Sequence, residues 1–494
     1  MSYSSRPPDP ALVGDDYLSM WMERLDNLPF LGSTWLRHQS RDAYWQHGSV
    51  CEDYSAIEAA VLSVGGWHDG YRNTISHLVA NLSGPVKGIV GPWIHKYPHY
   101  AQPYPAIGFL QESLRWWDHW LKGIDTGVEN EPDYRVWLMD SVKPARWIDT
   151  RPGRWVAERD WPSPHITEKQ WHINTTADGM HSLVDQKTTC LMSVNSPQSC
   201  GLNTGEYFPF TFGPELPDNQ LQDDNKSVCA DSQVLMESVA IVGAPGVTVT
   251  LSADQPTGLL MVRLCDLRAD GTSALITSGM LNLVHRDSFA QPQALVPGQP
   301  YQVQVILDQI AYQLPAGHRL RIALSSSYWP FLWPTPDNST LTITAAVVDL
   351  PVRHVTAEQA VEFPPAETSA PWQVEVLREG SSTRKVEYND ANGEAITIIN
   401  NDFGENLDLQ HGLRSGEQVT ERWVIRDDDP LSAAADICWV QTGGRDDWQW
   451  QTETVVNMRC DADYFYTTAT LQVTNNDQPI FTRTYEDKIE RIAV

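Results

Sequence analysis

The chain has 494 residues, with 35 Lys and Arg against 63 Asp and Glu, which gives a formal net charge of −28. Nucleic acids and anionic membrane surfaces bind basic faces, so this balance argues against both kinds of partner. Hydrophobic residues make up 41% of the chain, enough apolar surface to offset the entropy cost of folding and to exclude a disordered protein.

The cysteines, the motifs and the N-terminal segment indicate which cofactors and which cellular compartment to expect. The seven cysteines are widely spaced and form no Cys-x-x-Cys pair, so neither a disulfide framework nor a zinc site is expected. No nucleotide-binding glycine motif occurs, and Pro98 interrupts the spacing between His95 and His99 that a helical metal pair needs. We therefore expect no metal and no cofactor. The chain has no leader-like start and no long apolar run, which predicts a cytoplasmic protein.

Residues 1–55 have the periodicity of helices. Apolar side chains recur at intervals of three, four or seven, first from Tyr17 to Leu25 and again from Trp35 to Tyr44. The pattern predicts two amphipathic helices joined by a loop through Pro29 and Gly32.

The next hundred residues alternate between strand and helix patterns. Two short apolar runs, 59–64 and 86–90, each end in glycine, as buried parallel strands do. Residues 74–82 between them and 107–121 after them have helical periodicity, the second stopped by Gly123. This order predicts the end of a parallel α/β sheet.

After residue 155 the sequence is typical of all-β structure. Short β-like runs at 259–264, 301–307, 319–324 and 341–344 are separated by turn residues rather than helices. We expect a β-sandwich or jelly roll there. A Pro-rich linker at 363–371 precedes a second all-β stretch that continues to the C-terminus.

Asp69 and His95 are the candidate chemical pair. Each lies just beyond a predicted parallel strand, where open α/β sheets place their sites, and the acid precedes the base by 26 residues. In α/β-hydrolases the order is Ser, then Asp or Glu, then His, so the two residues suit the second and third positions. From spacing alone a second interpretation stays open, in which Asp69 caps the helix that follows and His95 is an ordinary loop histidine.

Five ordered segments resemble the CocE/NonD hydrolases, a family that includes cocaine esterase, α-amino-acid ester hydrolases and, more distantly, Xaa-Pro dipeptidyl-peptidases. They are Gly-Trp-x-Asp-Gly at 66–70, Gly-Pro-Trp-x-His at 91–95, the stretch 109–123, the stretch 155–162 and Pro-Ala-Gly-His-Arg at 315–319. The resemblance implies a serine hydrolase that cleaves a small-molecule ester or amide through an acyl-enzyme, with Asp69 and His95 as acid and base.

The resemblance also implies a fold: an α/β plus all-β protein, with a partial α/β-hydrolase domain and a helical cap remainder, followed by a jelly roll and a second C-terminal β domain. The corresponding ranges are 1–55 for the cap remainder, 56–150 for the C-terminal part of the α/β-hydrolase domain, 155–355 for the jelly roll and 365–494 for the additional β domain. A homodimer is consistent with the family.

The chain departs from the family at the nucleophile. Family members carry a Ser in a Gly-x-Ser-x-Gly elbow before the cap, and no serine here has the flanking glycines. We therefore expect the nucleophile to come from a missing N-terminal segment and the chain alone to be inactive. The alternative is a non-catalytic β-sandwich binding protein whose α/β segment is vestigial.

Overall fold

A computed structural model describes residues 1–354 and 360–492, which fall into two compact units. The large unit comprises Ala43–Phe331 and Ser339–Ser369, and the small unit comprises Met1–Asp42, Leu332–Asn338 and Ala370–Val494. The α-helices of the described residues are α1 (Pro10–Val13), α2 (Tyr17–Asp26), α3 (Leu31–Arg37), α4 (Ala43–Gln46), α5 (Arg72–Asn81), α6 (Phe109–Lys122) and α7 (Leu221–Asp224). In the part of the chain that the structure describes, none of these helices is long and apolar enough to cross a membrane.

The large unit is built on one branched sheet. Its strands are β1 (Val61–Gly66), β2 (Val86–Gly91), β3 (Tyr134–Asp140), β4 (Gly153–Glu158), β5 (Ile166–Thr175), β6 (His181–Val184), β7 (Met192–Val194), β8 (Val228–Asp231), β9 (Val239–Gly243), β10 (Gly246–Ala253), β11 (Leu259–Leu267), β12 (Ser273–Asn282), β13 (Tyr301–Ile306), β14 (Ile310–Leu314), β15 (Arg319–Ser325) and β16 (Leu341–Arg353). The main path runs β1-β2-β3-β14-β9-β16-β5-β6-β8-β15-β11-β12. Strands β1, β2 and β3 are parallel, and most of the remaining pairs are antiparallel.

Glycines let α5 lie directly on the parallel strands. A Cβ at Gly65 would lie 2.6 Å from Ile75 Cδ1, and one at Gly88 would lie 2.7 Å from Val79 Cγ2. Ile75 and Val79 are spaced i, i+4 and share one face of α5, so the missing side chains admit that face to the sheet. The same core continues into the β-rich part of the large unit through residues such as Val262.

The polar face of helix α6 packs against the rest of the large unit. Glu112 is buried and pairs with Arg115 at 2.8 Å and with Arg135 of β3 at 3.3 Å. Leu114 and Leu121, on the apolar stripe, are 56% and 73% exposed. The apolar stripe of α6 that includes Leu114 and Leu121 therefore faces outward.

The small unit contains a separate antiparallel sheet. Its strands are β17 (Val374–Arg378), β18 (Ser381–Asn389), β19 (Glu394–Asp408), β20 (Arg414–Arg426), β21 (Asp429–Arg445), β22 (Trp448–Cys460), β23 (Tyr464–Asn475) and β24 (Gln478–Glu490), in the order β17-β19-β20-β21-β22-β23-β24 with β18 beside β19. Trp21 and Leu25 of α2 are completely buried against Leu471 and Val473 of β23. The N-terminal helices thus cover part of this sheet.

Most predicted elements agree with the observed ones. The expected strands at 59–64 and 86–90 are β1 and β2, and the helices at 74–82 and 107–121 are α5 and α6. The second predicted N-terminal helix is wrong, because residues 38–42 are polar and separate α3 from α4. Strand β3 was not predicted from its sequence, although it is buried in the middle of the sheet.

The boundaries of the two units differ from the expected ranges. Residues 1–55, expected as a cap remainder, are divided between the units, with Met1–Asp42 assigned to the small one. The expected ranges 56–150 and 155–355 share one sheet and one core in the large unit. Residue 355 of the range 155–355 and residues 493–494 of the range 365–494 lie outside the described part.

Candidate active site

The site is formed by two loops that leave the carboxyl ends of β1 and β2. The strands pair in parallel register, with Gly66 opposite Gly91, so the loops that follow begin side by side. Asp69 and His95 lie three and four residues beyond these positions, and Asp69 Oδ2 lies 2.8 Å from His95 Nδ1. The structure therefore brings the two predicted residues into hydrogen-bond contact.

Close backbone contacts hold the two loops together. Trp67 N donates to Gly91 O at 2.9 Å, and His68 N donates to Trp93 O at 3.0 Å. A Cβ at Gly66 would lie 2.1 Å from Trp93 O, so only glycine permits this approach. Gly66 of the first motif is thus required by the contact between the loops.

Asp69 uses its two carboxylate oxygens for different purposes. It is 7% exposed, and Oδ1 accepts a hydrogen bond from Tyr71 N at 2.8 Å, just before α5 begins, while Oδ2 contacts His95. Asp69 thus stabilises the turn before α5 through the N–H of Tyr71, although no side chain caps the helix itself, and its other oxygen contacts the imidazole.

Phe208 is a site residue that sequence reasoning missed. Its ring centroid lies 4.3 Å from that of His95, and His95 N donates to Pro209 O at 2.9 Å. A Cβ at Gly70 would lie 2.6 Å from Phe208 Cδ2, so the glycine makes room for this ring. The loop after residue 200 therefore positions both the backbone and the ring of His95, and no local pattern in the sequence indicated that contact.

His95 opens into a cleft of about 370 Å³. Its side chain is 46% exposed, so the imidazole is accessible to a ligand. The cleft is lined by Val64, Gly65, Asp69, His95, Lys96, Tyr97, Pro98, Tyr100 and Phe109. Among these lining residues there is no Ser, Thr or Cys that could act as a nucleophile.

Aromatic and cationic groups determine the chemical character of the cleft. Phe109 stacks on Tyr97 and on His99, each with centroids 6.0 Å apart, which gives one wall an aromatic surface. Burial lowers the pKa of His99 and also that of Lys96. Glu215, near Lys96, opposes the shift of the lysine. The cleft is suited to an apolar or aromatic ligand group beside the imidazole.

The other histidines near the site do not form a metal centre. His68, next to Asp69, lines a different cavity, where burial, Arg151 and Arg72 lower its pKa to about 3. The described residues contain no group of three or more His, Cys, Asp or Glu side chains arranged to hold a metal ion.

Two family models match the chain. Residues 2–97 match the model of the X-Pro dipeptidyl-peptidase (S15 family), and residues 126–370 match that of the X-Pro dipeptidyl-peptidase C-terminal non-catalytic domain. Cocaine esterase of Rhodococcus sp. (strain MB1 Bresler) is 21% identical over 61% of this chain and 54% of its own length. A putative Xaa-Pro dipeptidyl-peptidase of Bacillus anthracis is 22% identical over 63% of this chain and 48% of its own length.

The chain belongs to the CocE/NonD and X-Pro dipeptidyl-peptidase family. A solved CocE/NonD family hydrolase from Staphylococcus aureus has a similar fold, with a TM-score of 0.51 and 13% identity over 68% of this chain and 61% of that one. The chain spans about half the length of the curated relatives it matches. The resemblance to this family that the sequence motifs indicated is therefore confirmed.

Proposed function

We propose that this CocE/NonD chain contributes the acid and the base of a serine hydrolase that cleaves a small-molecule ester or an amide. Asp69 accepts a hydrogen bond from His95 Nδ1, which leaves Nε2 as the base that takes the proton of a serine hydroxyl. The serine attacks the acyl carbon, the leaving group receives the proton from His95, and water then hydrolyses the acyl-enzyme. The contact of 2.8 Å between His95 Nδ1 and Asp69 Oδ2 is the observation that carries this proposal.

The nucleophile in this proposal belongs to a further polypeptide segment that completes the α/β part of the large unit. Two features of the described residues support such a segment. Among the described residues, strand β1 pairs only with β2, so its other edge is open to another strand. The exposed stripe of α6 offers apolar surface of the kind that such a segment would cover.

The finer architecture follows from the same proposal. Strands β1–β3 with α5 and α6 are the C-terminal part of an α/β-hydrolase domain, residues 155–355 are a jelly roll, and residues 365–494 are an additional β domain. The assignment of residues 1–55 to a helical cap stays a prediction, as does a homodimer.

Reaction with a fluorophosphonate probe, together with p-nitrophenyl ester hydrolysis, tests the proposal. The purified chain should not react at a serine, whereas its complex with a segment that carries Gly-x-Ser-x-Gly should be labelled and should hydrolyse the ester. His95→Ala should abolish both activities of the complex, and His77→Ala, an exposed histidine of α5, should change neither. Labelling of the purified chain at one of its own serines, in a manner dependent on His95, would contradict the assignment of the nucleophile.

A non-catalytic binding protein is the second candidate. The lining of the cleft, which has an aromatic wall and lacks a hydroxyl or thiol nucleophile, favours it. In that case the chain would bind aromatic esters without hydrolysing them, even in complex with a segment that carries Gly-x-Ser-x-Gly.

A further inference from the structure

A second cavity in the large unit adjoins the loop that holds Asp69, because the neighbouring His68 lines it. It measures about 80 Å³, several times the ~10–15 Å³ that one ordered water needs. His68 and Arg72 line it from the loop and from the start of α5, and Arg151 lines it from the segment before β4. Three nitrogen-bearing side chains from separate parts of the chain thus meet at one cavity.

Each of these side chains has a buried nitrogen without a hydrogen-bond partner among the described residues: His68 Nε2, Arg72 Nε and Arg151 Nε. Arg151 is 8% exposed. A buried donor left unpaired costs roughly 1–3 kcal/mol, and more when it is charged, so buried donors are normally satisfied. Three such atoms around one cavity indicate an acceptor bound within it.

Two carboxylates near the cavity are already engaged, while Asp140 interacts electrostatically with Arg151. Asp308 lies 3.4 Å from Arg72 Nη2 and also accepts from Asn73 Nδ2 at 2.8 Å. Asp266 accepts from Tyr312 at 2.8 Å and contacts His318 Nδ1 at 2.7 Å. These acids balance part of the positive charge, but their contacts leave the three nitrogens unpaired.

The rest of the cavity wall is mostly aliphatic. Val142, Pro144, Ile148, Leu216 and Ile310 contribute to it. Thr277, Ser278 and Tyr312 also line the cavity, but the hydroxyls of Thr277 and Tyr312 already donate to Asp308 O and to Asp266 Oδ2, each at 2.8 Å. The aliphatic part of the wall favours burial of a short hydrocarbon group over a phosphate or bicarbonate, which carries oxygens on every side. An anion with one charged end and a small apolar end suits both parts of the lining.

We propose that this cavity binds a short-chain carboxylate, such as acetate, propionate or butyrate, through His68, Arg72 and Arg151. The bound carboxylate connects the loop that holds Asp69 to the segment before β4 and to strands β12 and β14, which also line the cavity. By connecting these elements, the carboxylate stabilises the loop that holds Asp69. The proposal concerns binding alone and does not depend on the proposed hydrolase activity.

Isothermal titration calorimetry of the complete chain with sodium propionate tests this site, in a buffer without carboxylates and at constant ionic strength. We expect saturable binding of one propionate per chain, tighter than that of inorganic phosphate or chloride, and a thermal unfolding temperature that rises with propionate concentration. Arg151→Gln should weaken binding at least about tenfold, because a charge-assisted hydrogen bond is lost. Arg154→Gln removes a neighbouring charge that does not line the cavity, and it should leave the affinity unchanged.

A second variant covers the case in which Arg151→Gln fails to fold. Ala145 is exposed and lines the cavity, so Ala145→Trp narrows the cavity without altering His68, Arg72 or Arg151, and we expect it also to abolish propionate binding. Three results would overturn the proposal: propionate binding no tighter than chloride, phosphate binding tighter than every carboxylate, or unchanged propionate binding in Ala145→Trp.

Discussion

The carboxylate of Asp69 shows how one side chain serves both the local turn and the site. Oδ1 accepts from Tyr71 N and Oδ2 contacts His95 Nδ1, so the two oxygens can be tested separately. An asparagine can keep the first contact through its carbonyl oxygen, whereas an alanine loses both.

Asp69→Asn should therefore separate activity from stability. In the completed enzyme we expect kcat to fall about 10⁴-fold, because an amide nitrogen facing His95 favours the wrong tautomer. The free energy of unfolding should change little, whereas Asp69→Ala should lower it by about 0.5–2 kcal/mol through loss of the turn contact. Ester hydrolysis and urea unfolding measure the two effects. Equal kcat for Asp69→Asn and the wild type would refute the orienting role.

The contact between Gly70 and Phe208 gives a second test at the residue scale. Gly70→Ala would place its Cβ about 2.6 Å from Phe208 Cδ2, and such overpacking costs about 1–3 kcal/mol. Phe208→Ala removes the obstruction, so the double variant should be more stable than the sum of the single effects predicts. Urea unfolding of the four proteins measures this coupling. Additive effects would mean that Phe208 does not restrict position 70.

His68 should make stability depend on pH. Burial, Arg151 and Arg72 lower its pKa from 6.5 to about 3, so the folded chain binds fewer protons than the unfolded chain between these values. Its contribution to stability is complete above pH 6.5 and is lost as the pH falls toward about 3. His68→Gln should flatten this part of the profile, measured by urea unfolding in buffers without carboxylates. The exposed His77→Gln serves as the control, and an identical profile for His68→Gln and wild type would contradict the assignment.

At the scale of the elements, α6 and β1 leave apolar surface and a strand edge uncovered in the large unit. The helix exposes Leu110, Leu114, Trp117 and Leu121 at intervals of four, three and four residues, and β1 has an open edge among the described residues. Exposed apolar stripes and strand edges promote association, so these elements should govern how the chain self-associates.

We expect Leu114→Lys combined with Leu121→Lys to reduce concentration-dependent self-association, because both side chains are more than half exposed. The stability of the chain should change by no more than about 0.5 kcal/mol, as is usual at exposed positions. Sedimentation velocity over a range of concentrations measures the association. Thr74→Lys, an exposed position of α5, is the matched control. Unchanged association in the double variant would show that this stripe is not an association surface.

At the scale of the whole molecule, the division into units joins distant parts of the sequence. The small unit needs both ends of the chain, because Trp21 is completely buried against β23 and donates from Nε1 to Ser5 O at 2.7 Å. A boundary placed near residue 150 would remove α2 from its sheet, so a fragment that begins there would expose the apolar face that Trp21 covers.

Trp21→Ala should destabilise the small unit by about 3–5 kcal/mol, the usual cost of a large cavity in a core. Hydrogen exchange should then show loss of protection in β22, β23 and β24, while β1 and β2 of the large unit remain protected. Trp35→Ala removes a Trp that is 48% exposed in the same unit and should cost far less. Simultaneous loss of protection in both units would show that they unfold as one.

The sequence by itself determined the local elements and the candidate pair. Apolar runs closed by glycine identified β1 and β2, helical periodicity identified α5 and α6, and the order of Asp69 and His95 indicated their chemistry, because each signal lies within a few neighbouring residues. Only the tertiary structure decided that Phe208 packs on His95, that β3 continues the sheet, that α2 belongs with β23, and that the apolar stripe of α6 faces outward. These features depend on contacts between residues far apart in the chain, and a local pattern of polarity does not specify its partner.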